Sequence, residues 1–199
     1  NSDKHSERRD AIRLRIAQKL GEDVSSPLYS RVVIGEDQSN HTKCITIESI
    51  RSALNAGNFL SRFDNKNKLE RNGSFDLNNN EQTFVLLYSY LELCFKHIKK
   101  NLSSEWKNGN SNNGILTTNN GIGGIIRTIN SISEHLITIG EINPMKNDPY
   151  DIFRKSEYYV DSIIRFYENI SDEQRDIIRK TYGGNGPIYS CRCLERAIH

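Results

Sequence analysis

Apolar residues recur along this chain at intervals of three and four, and polar stretches rich in Asn, Gly and Ser separate the periodic runs. The spacing Ile12, Ile16, Leu20 predicts a helix over about 6–20, stopped by Gly21. Pro27 opens the strand-like run 28–34, with Val32, Val33 and Ile34 at its end. After polar turn material at 36–43, Cys44-Ile45-Thr46 predicts a short returning strand. Thr46 caps a second helix over 47–56, which Gly57 ends. Residues 58–80 alternate charges without periodicity and read as an irregular connection. From Asn79 the pattern changes. Phe84, Leu86, Leu87, Leu91, Cys94, Phe95 and Ile98 make the helix to about Lys100 apolar nearly all round, so it belongs at the centre of the domain.

Beyond it, Ser103 or Ser104 caps a brief turn holding Trp106, and the Asn/Gly-rich segment 107–120 reads as a flexible spacer. Ile122, Ile125, Ile126, Ile129, Ile132 and Leu136 form a helical stripe. Asp148 as N-cap and Pro149 at the first helical position start a long helix, and Ser171 to Gln174 is a capping box for a short one. Gly183-Gly184-Asn185-Gly186-Pro187 turns the chain into a last helix with Pro187 at its first position. The fold class expected is mainly α, about six helices with one small β-ribbon near the N-terminus. Residues 1–57 supply a basic helix, the ribbon and a helix; residues 58–199 supply a helical bundle packed with them as one domain.

Composition narrows the function classes. The chain has 199 residues, 27 basic and 25 acidic side chains, and a net charge of +2, so no polyanion partner is obligatory and any nucleic-acid surface is a local patch. No run of about 18 apolar residues exists, which excludes a membrane helix, and the N-terminus lacks the apolar region of a signal peptide. Cys44, Cys94, Cys191 and Cys193 form no CxxC pair, pointing to a reducing, cytoplasmic setting. The five histidines are scattered without metal-ligand spacing, and no nucleophile elbow or carboxylate pair stands out. Neither a metal nor a cofactor is expected, and the reading leans against an enzyme. Met145 is the sole methionine, which suggests a piece of something longer.

Several landmarks stand in order: Ile16-Ala17, Leu20, Ser26-Pro27-Leu28-Tyr29, Val32, Ile45-Thr46, Ala53-Leu54, Trp106, Gly121-Ile122 and Tyr182-Gly183-Gly184-Asn185-Gly186-Pro187. This array resembles the region that follows the signature motif in bacterial DGQHR-domain proteins, the group that includes DndB-like proteins of DNA phosphorothioation systems. The Asp-Gly-Gln-His-Arg string itself, part of a ParB-like core, is absent here, and Gly35-Glu36-Asp37-Gln38 does not replace it. No motif residue of that core can therefore be assigned to this chain. The resemblance implies a non-catalytic helical region working beside DNA, in its modification, regulation or phage defence. Its expected partner is DNA or, alternatively, a protein of a modification or restriction assembly.

Two candidate surfaces come from the residues alone. The first is basic: residues 1–20 carry Lys4, Arg8, Arg9, Arg13, Arg15 and Lys19 against Asp3, Glu7 and Asp10. Arg8, Arg15 and Lys19 fall on one stripe that would face phosphates, and Arg31 and Arg51 would extend it. The bland alternative is a solvated face laced with pairs such as Asp10 with Arg13. The second is Gly183, Gly184 and Gly186, a turn able to cradle phosphate on backbone N–H groups. It lacks the preceding strand and the Gly-Lys-Ser/Thr ending of a P-loop, so a helix stop and restart is the plainer reading. Trp106 and Tyr29 are read as core anchors before base-stacking platforms.

Overall fold

In the computed structural model, which describes residues 5–181 and 183–198, the described residues form eight helices and two short strand pairs. Asp3, Lys4 and Tyr182, singled out from the sequence, lie outside those residues. Helix α1 (His5–Glu22) buries Ile12, Ile16 and Leu20 on one side. It runs past the expected stop because Gly21 is a packing residue: a Cβ there would meet the Val32 side chain at 2.7 Å. Strands β1 (Val32–Val33) and β2 (Ile45–Thr46) pair as expected in place, but in parallel. The segment between them folds back on itself first, with Asn40 Oδ1 accepting from the Thr42 and Lys43 amides. Thr46 then caps α2 (Ile47–Ala56), its hydroxyl accepting from Ser49 N.

A second pair falls where an irregular connection was expected. Strands β3 (Arg62–Phe63) and β4 (Leu69–Arg71) are antiparallel, and Asp64 Oδ1 organises their turn by accepting from Lys66 N and Lys68 N. Every residue of β4 is exposed, so no alternation marks it in the sequence.

Helix α3 (Asn80–Asn101) is the apolar rod anticipated from residues 84–98. Asn79 caps it, and Leu87, Leu91, Cys94, Phe95 and Ile98 are fully buried, while Val85 alone among its large apolar residues is substantially exposed. Helix α4 (Ser103–Asn108) has Leu102 at its N-cap instead of a serine. Its Trp106 is a core anchor, and the indole N–H donates to Pro27 O at 3.3 Å. The segment expected to be a spacer is pinned: Ile115, Leu116 and Thr117 are buried, and Asn110 N bonds His41 O at 2.9 Å.

The remaining helices are α5 (Asn119–Thr138), α6 (Pro149–Asn169), α7 (Asp172–Lys180) and α8 (Asn185–Ile198). The Asp148 cap with Pro149 and the Ser171–Gln174 capping box occur as expected; α8 begins two residues before Pro187. Helix α5 packs against α2, α6, α7, α8 and β2, and one apolar core runs from Ile12 through to Leu194. Buried Tyr90, Ser133 and Ser156 link α3, α5 and α6 through hydroxyl hydrogen bonds of 2.9 and 3.2 Å. No described helix is long and apolar enough to cross a membrane.

The close approach of α8 to α5 depends on Gly124. A Cβ at that position would lie 2.4 Å from Ser190 Oγ and 3.2 Å from the Cys191 backbone nitrogen. Gly124→Ala is expected to lower stability by about 1–3 kcal/mol through overpacking, read as a drop in the thermal unfolding midpoint. An unchanged midpoint would contradict this packing.

Candidate functional site

The basic residues singled out in the sequence do not form one surface. Arg15 holds both carboxylate oxygens of Glu81 and lies over the Phe84 ring at 3.7 Å. Lys19 pairs with Asp23 at 3.3 Å and sits above Tyr88. Arg8, exposed on the same side of α1, is also engaged. These cations line the seam between α1 and α3, where a depression of about 390 Å³ has mixed charge from Arg15, Lys19, Glu22 and Asp23. Arg31 turns elsewhere and donates to Lys107 O at 3.4 Å. Arg51 lies against the other side of α1, between Glu48 and Asp10. The structure therefore brings Arg15 and Lys19 together and separates them from Arg31 and Arg51. Most of this charge is satisfied within the protein.

The glycine turn has a different setting. Gly183 and Gly184 line a cleft of about 730 Å³, into which three helix starts converge. Helix α2 contributes Thr46, Ser49 and Ser52, with Glu48 at the rim; α5 contributes Thr118, Asn119, Asn120 and Arg127. His41, Cys44, Asn110 and Gly114 form another wall, and Arg179 and Thr181 bring in the end of α7. Gly183 has φ 65°, a left-handed conformation that glycine adopts without penalty, and it turns the chain from α7 toward α8. Gly186 is buried beneath the Asn120 side chain, outside the lining.

Asparagines assemble these walls. Asn119 Oδ1 accepts from Thr46 N at 2.8 Å, and Asn119 O accepts from the Ser49 hydroxyl, joining the starts of α5 and α2. Asn120 donates both amide hydrogens, to Ile178 O and Thr181 O, joining α5 to the end of α7. Asn113 receives Arg179 through its Oδ1 and Arg175 through its backbone carbonyl. Asn110 Oδ1 lies 3.0 Å from His41 Nδ1.

The electrostatics favour an anion. First-turn residues of α2 and α5 line the cleft, with Ser49 N capped by Thr46 and Gly121 N capped by Thr118. Arg127 lines it with an Nε sealed from solvent and lacking any hydrogen-bond partner, and no described carboxylate lies within salt-bridge distance of it. Arg179 is braced by Asn113 and stands 3.7 Å from Asp176. Glu48, the negative group at the rim, is held by Arg51 at 3.0 Å.

No family model, curated protein or solved structure matches the chain. The chemistry of the cleft must therefore be read from its own side chains.

Cys44 is half-buried, donates to Thr117 O, and has its thiol pushed up by burial, so it is not a thiolate nucleophile at neutral pH. Among the described residues, no group of three or more His, Cys, Asp or Glu side chains is arranged to hold a metal. The lining named above is mostly amide, hydroxyl and guanidinium, and the only aromatic ring in it is that of His41, whose Nδ1 lies 3.0 Å from Asn110 Oδ1. Trp106 is packed in the core, and exposed Tyr29 lies outside the cleft.

The sequence reading passed over Arg127, Arg179, Asn119 and Asn120. One signal was present: Arg127 is a single cation in the long apolar stripe of α5, seven residues from Asn120 and so on the same helix face.

Proposed function

We propose that this chain is a non-catalytic helical region that holds a phosphate-bearing ligand, nucleic acid, in the cleft between α2, α5 and the glycine turn. Arg127 carries the reading: it lines a polar cleft with no described carboxylate within salt-bridge distance, so phosphate oxygens in the cleft would supply its counter-charge. A cavity of this size accommodates one nucleotide unit of a single strand but not the body of a duplex. Because the lining named here offers mainly donors, with the His41 ring its one aromatic surface, recognition is mainly of backbone, and binding is tolerant of base sequence.

The resemblance to the DGQHR group supports this reading in one particular way. Landmark residues far apart in sequence, Thr46, Ala53, Gly183, Gly184 and Pro187, meet in the lining of this cleft. A role beside DNA in a cytoplasmic modification or defence system is the setting we propose. The cleft replaces the α1 stripe as the phosphate contact, since Arg9, Arg15 and Lys19 are committed to Asp76, Glu81, Asp23 and the aromatic rings of α3.

Fluorescence anisotropy with a labelled single-stranded oligonucleotide tests it. The affinity should fall as salt rises, with a slope of roughly −0.7 for each phosphate contacted, and should vary little among base sequences. Charge reversal of Arg8 and Arg15 together should leave that affinity within about twofold at fixed salt, because neither lines the cleft. Absence of binding at low salt would reject the proposal.

A further inference from the structure

Arg127 shares the cleft with a second cation, Arg179, which comes from the last turn of α7. The Arg179 side chain is 39% exposed, and its close partner is neutral: Nη1 donates to Asn113 Oδ1 at 2.8 Å. Asp176 stands off at 3.7 Å, and its other oxygen is taken by Lys180 at 2.8 Å. An exposed pair at that separation neutralises little of the guanidinium charge.

The brace on Arg179 is itself anchored. Asn113 has φ 59°, and its backbone carbonyl accepts from Arg175 at 3.0 Å. Arg175 also reaches both oxygens of Glu105 on α4, at 2.9 and 3.1 Å, and this ion pair is largely buried. The pair fixes Asn113, and Asn113 holds the Arg179 head at the cleft wall. Asn120 tethers the same end of α7 through Ile178 O and Thr181 O. A long side chain held in place beforehand loses less rotamer freedom when a ligand arrives.

Two guanidinium groups without a close carboxylate therefore line one cavity of single-nucleotide size. Glu48 is the one carboxylate among the described lining residues, and Arg51 holds it. A nucleotide inside a strand brings a single negative charge. A phosphate monoester at a strand end brings about −1.5 to −2 at neutral pH, spread over three acceptor oxygens. The end matches two cations better than the interior does.

We propose that Arg127 and Arg179 form a two-arginine clamp for a terminal phosphate monoester, so that the cleft takes the phosphorylated end of a single strand in preference to its interior. This rests on the reading of the cleft as a phosphate site. Arg179 is the selecting contact, and Asn113 is a positioning residue that acts through it.

The test titrates the full chain against three otherwise identical oligothymidylates, labelled at an internal base: one with a 5′-phosphate, one with a 3′-phosphate, and one with hydroxyls at both ends. At least one phosphorylated strand should bind about five- to tenfold tighter than the hydroxyl-ended strand, and the tighter of the two identifies the end. Arg179→Gln should reduce that preference to less than about twofold. Asn113→Gly keeps the left-handed backbone and the carbonyl that Arg175 uses, and should reduce it part of the way, because a released Arg179 can close on Asp176. Both positions are exposed, so the unfolding midpoints should stay at the wild-type value. The wild-type comparison needs no variant: if phosphorylation at neither end tightens binding while Arg127→Gln still weakens all three strands, the clamp is overturned and the cleft stands. A preference that survives in Arg179→Gln also overturns the clamp. No binding of any strand at low salt overturns both.

Discussion

Arg127→Glu is expected to reduce affinity for a single-stranded oligonucleotide by roughly ten- to a hundredfold, equivalent to about 1.5–3 kcal/mol for the loss of a hydrogen bond to a charged group. Arg127 lies partly buried on α5, and its sealed Nε has no partner to lose, so the fold gives up little when the side chain changes. The loss should therefore appear in binding and not in the unfolding midpoint. Arg15→Glu supplies the control. Arg15 is bound to Glu81 and stacked on Phe84, and its reversal should disturb that seam by a few tenths of a kcal/mol to about 1 while sparing the ligand. Equal losses from the two variants, measured by anisotropy at one salt concentration, would assign the binding to bulk charge in place of the cleft.

The largest stability effect is expected at Arg9. Its side chain is 8% exposed and meets both oxygens of Asp76, whose side chain is 3% exposed, while a third nitrogen donates to Asn80 at 2.9 Å. The fork ties α1 to the segment that leads into α3. Arg9→Met removes the counter-charge and leaves a buried carboxylate with only the longer hydrogen bonds from Ser61 N and Asn78 N, so about 3–5 kcal/mol of stability should be lost. Replacing both partners by apolar residues should recover a large part of it.

Acid reports on the same pair. Burial by itself would raise the Asp76 carboxyl, but the hydrogen bonds from Ser61 and Arg9 and the charge of Arg9 outweigh burial and hold it below the usual carboxylate range. A depressed folded pKa means stability that is complete above the unfolded value, near 4, and is lost as pH falls through the folded value. Urea midpoints should accordingly drop below about pH 4 in wild type and drop less in Arg9→Met. Parallel decline in the two proteins would contradict this assignment.

Much of the architecture was legible because local chemistry and packing agree in these places. Asn79, Thr46, Asp148 and Ser171 cap the helices they were expected to cap, and the apolar run from Phe84 to Ile98 is the buried rod it resembles. What escaped the sequence depended on contacts between distant segments. The β3–β4 hairpin is exposed and charged, so nothing about its spacing announces it. The eight helices exceed the six or so expected partly because α4 is a single short stretch with no capping side chain. The glycines of α5 look like helix breakers in one dimension, yet Gly124 is where α8 fits.

The cleft was hidden for a related reason. Asparagine in a polar run signals a loop, and Asn110, Asn113, Asn119 and Asn120 indeed sit in or beside one. Their amides nonetheless bond across 58 to 73 residues of sequence, which composition cannot convey. The glycine turn was visible as a motif, but its neighbours Arg127 and Arg179 come from other helices. On the basic stripe, the bland alternative considered from the start describes Arg15 and Lys19 better than a phosphate-facing surface does.

Backbone amide chemical-shift mapping on addition of a single-stranded oligonucleotide is the most direct measurement. The largest shifts should fall on Gly183, Gly184, Asn119, Asn120 and Ser49, with small changes along residues 8–19 of α1. Shifts concentrated on Arg8, Arg15 and Lys19, with the glycine turn unmoved, would contradict the account.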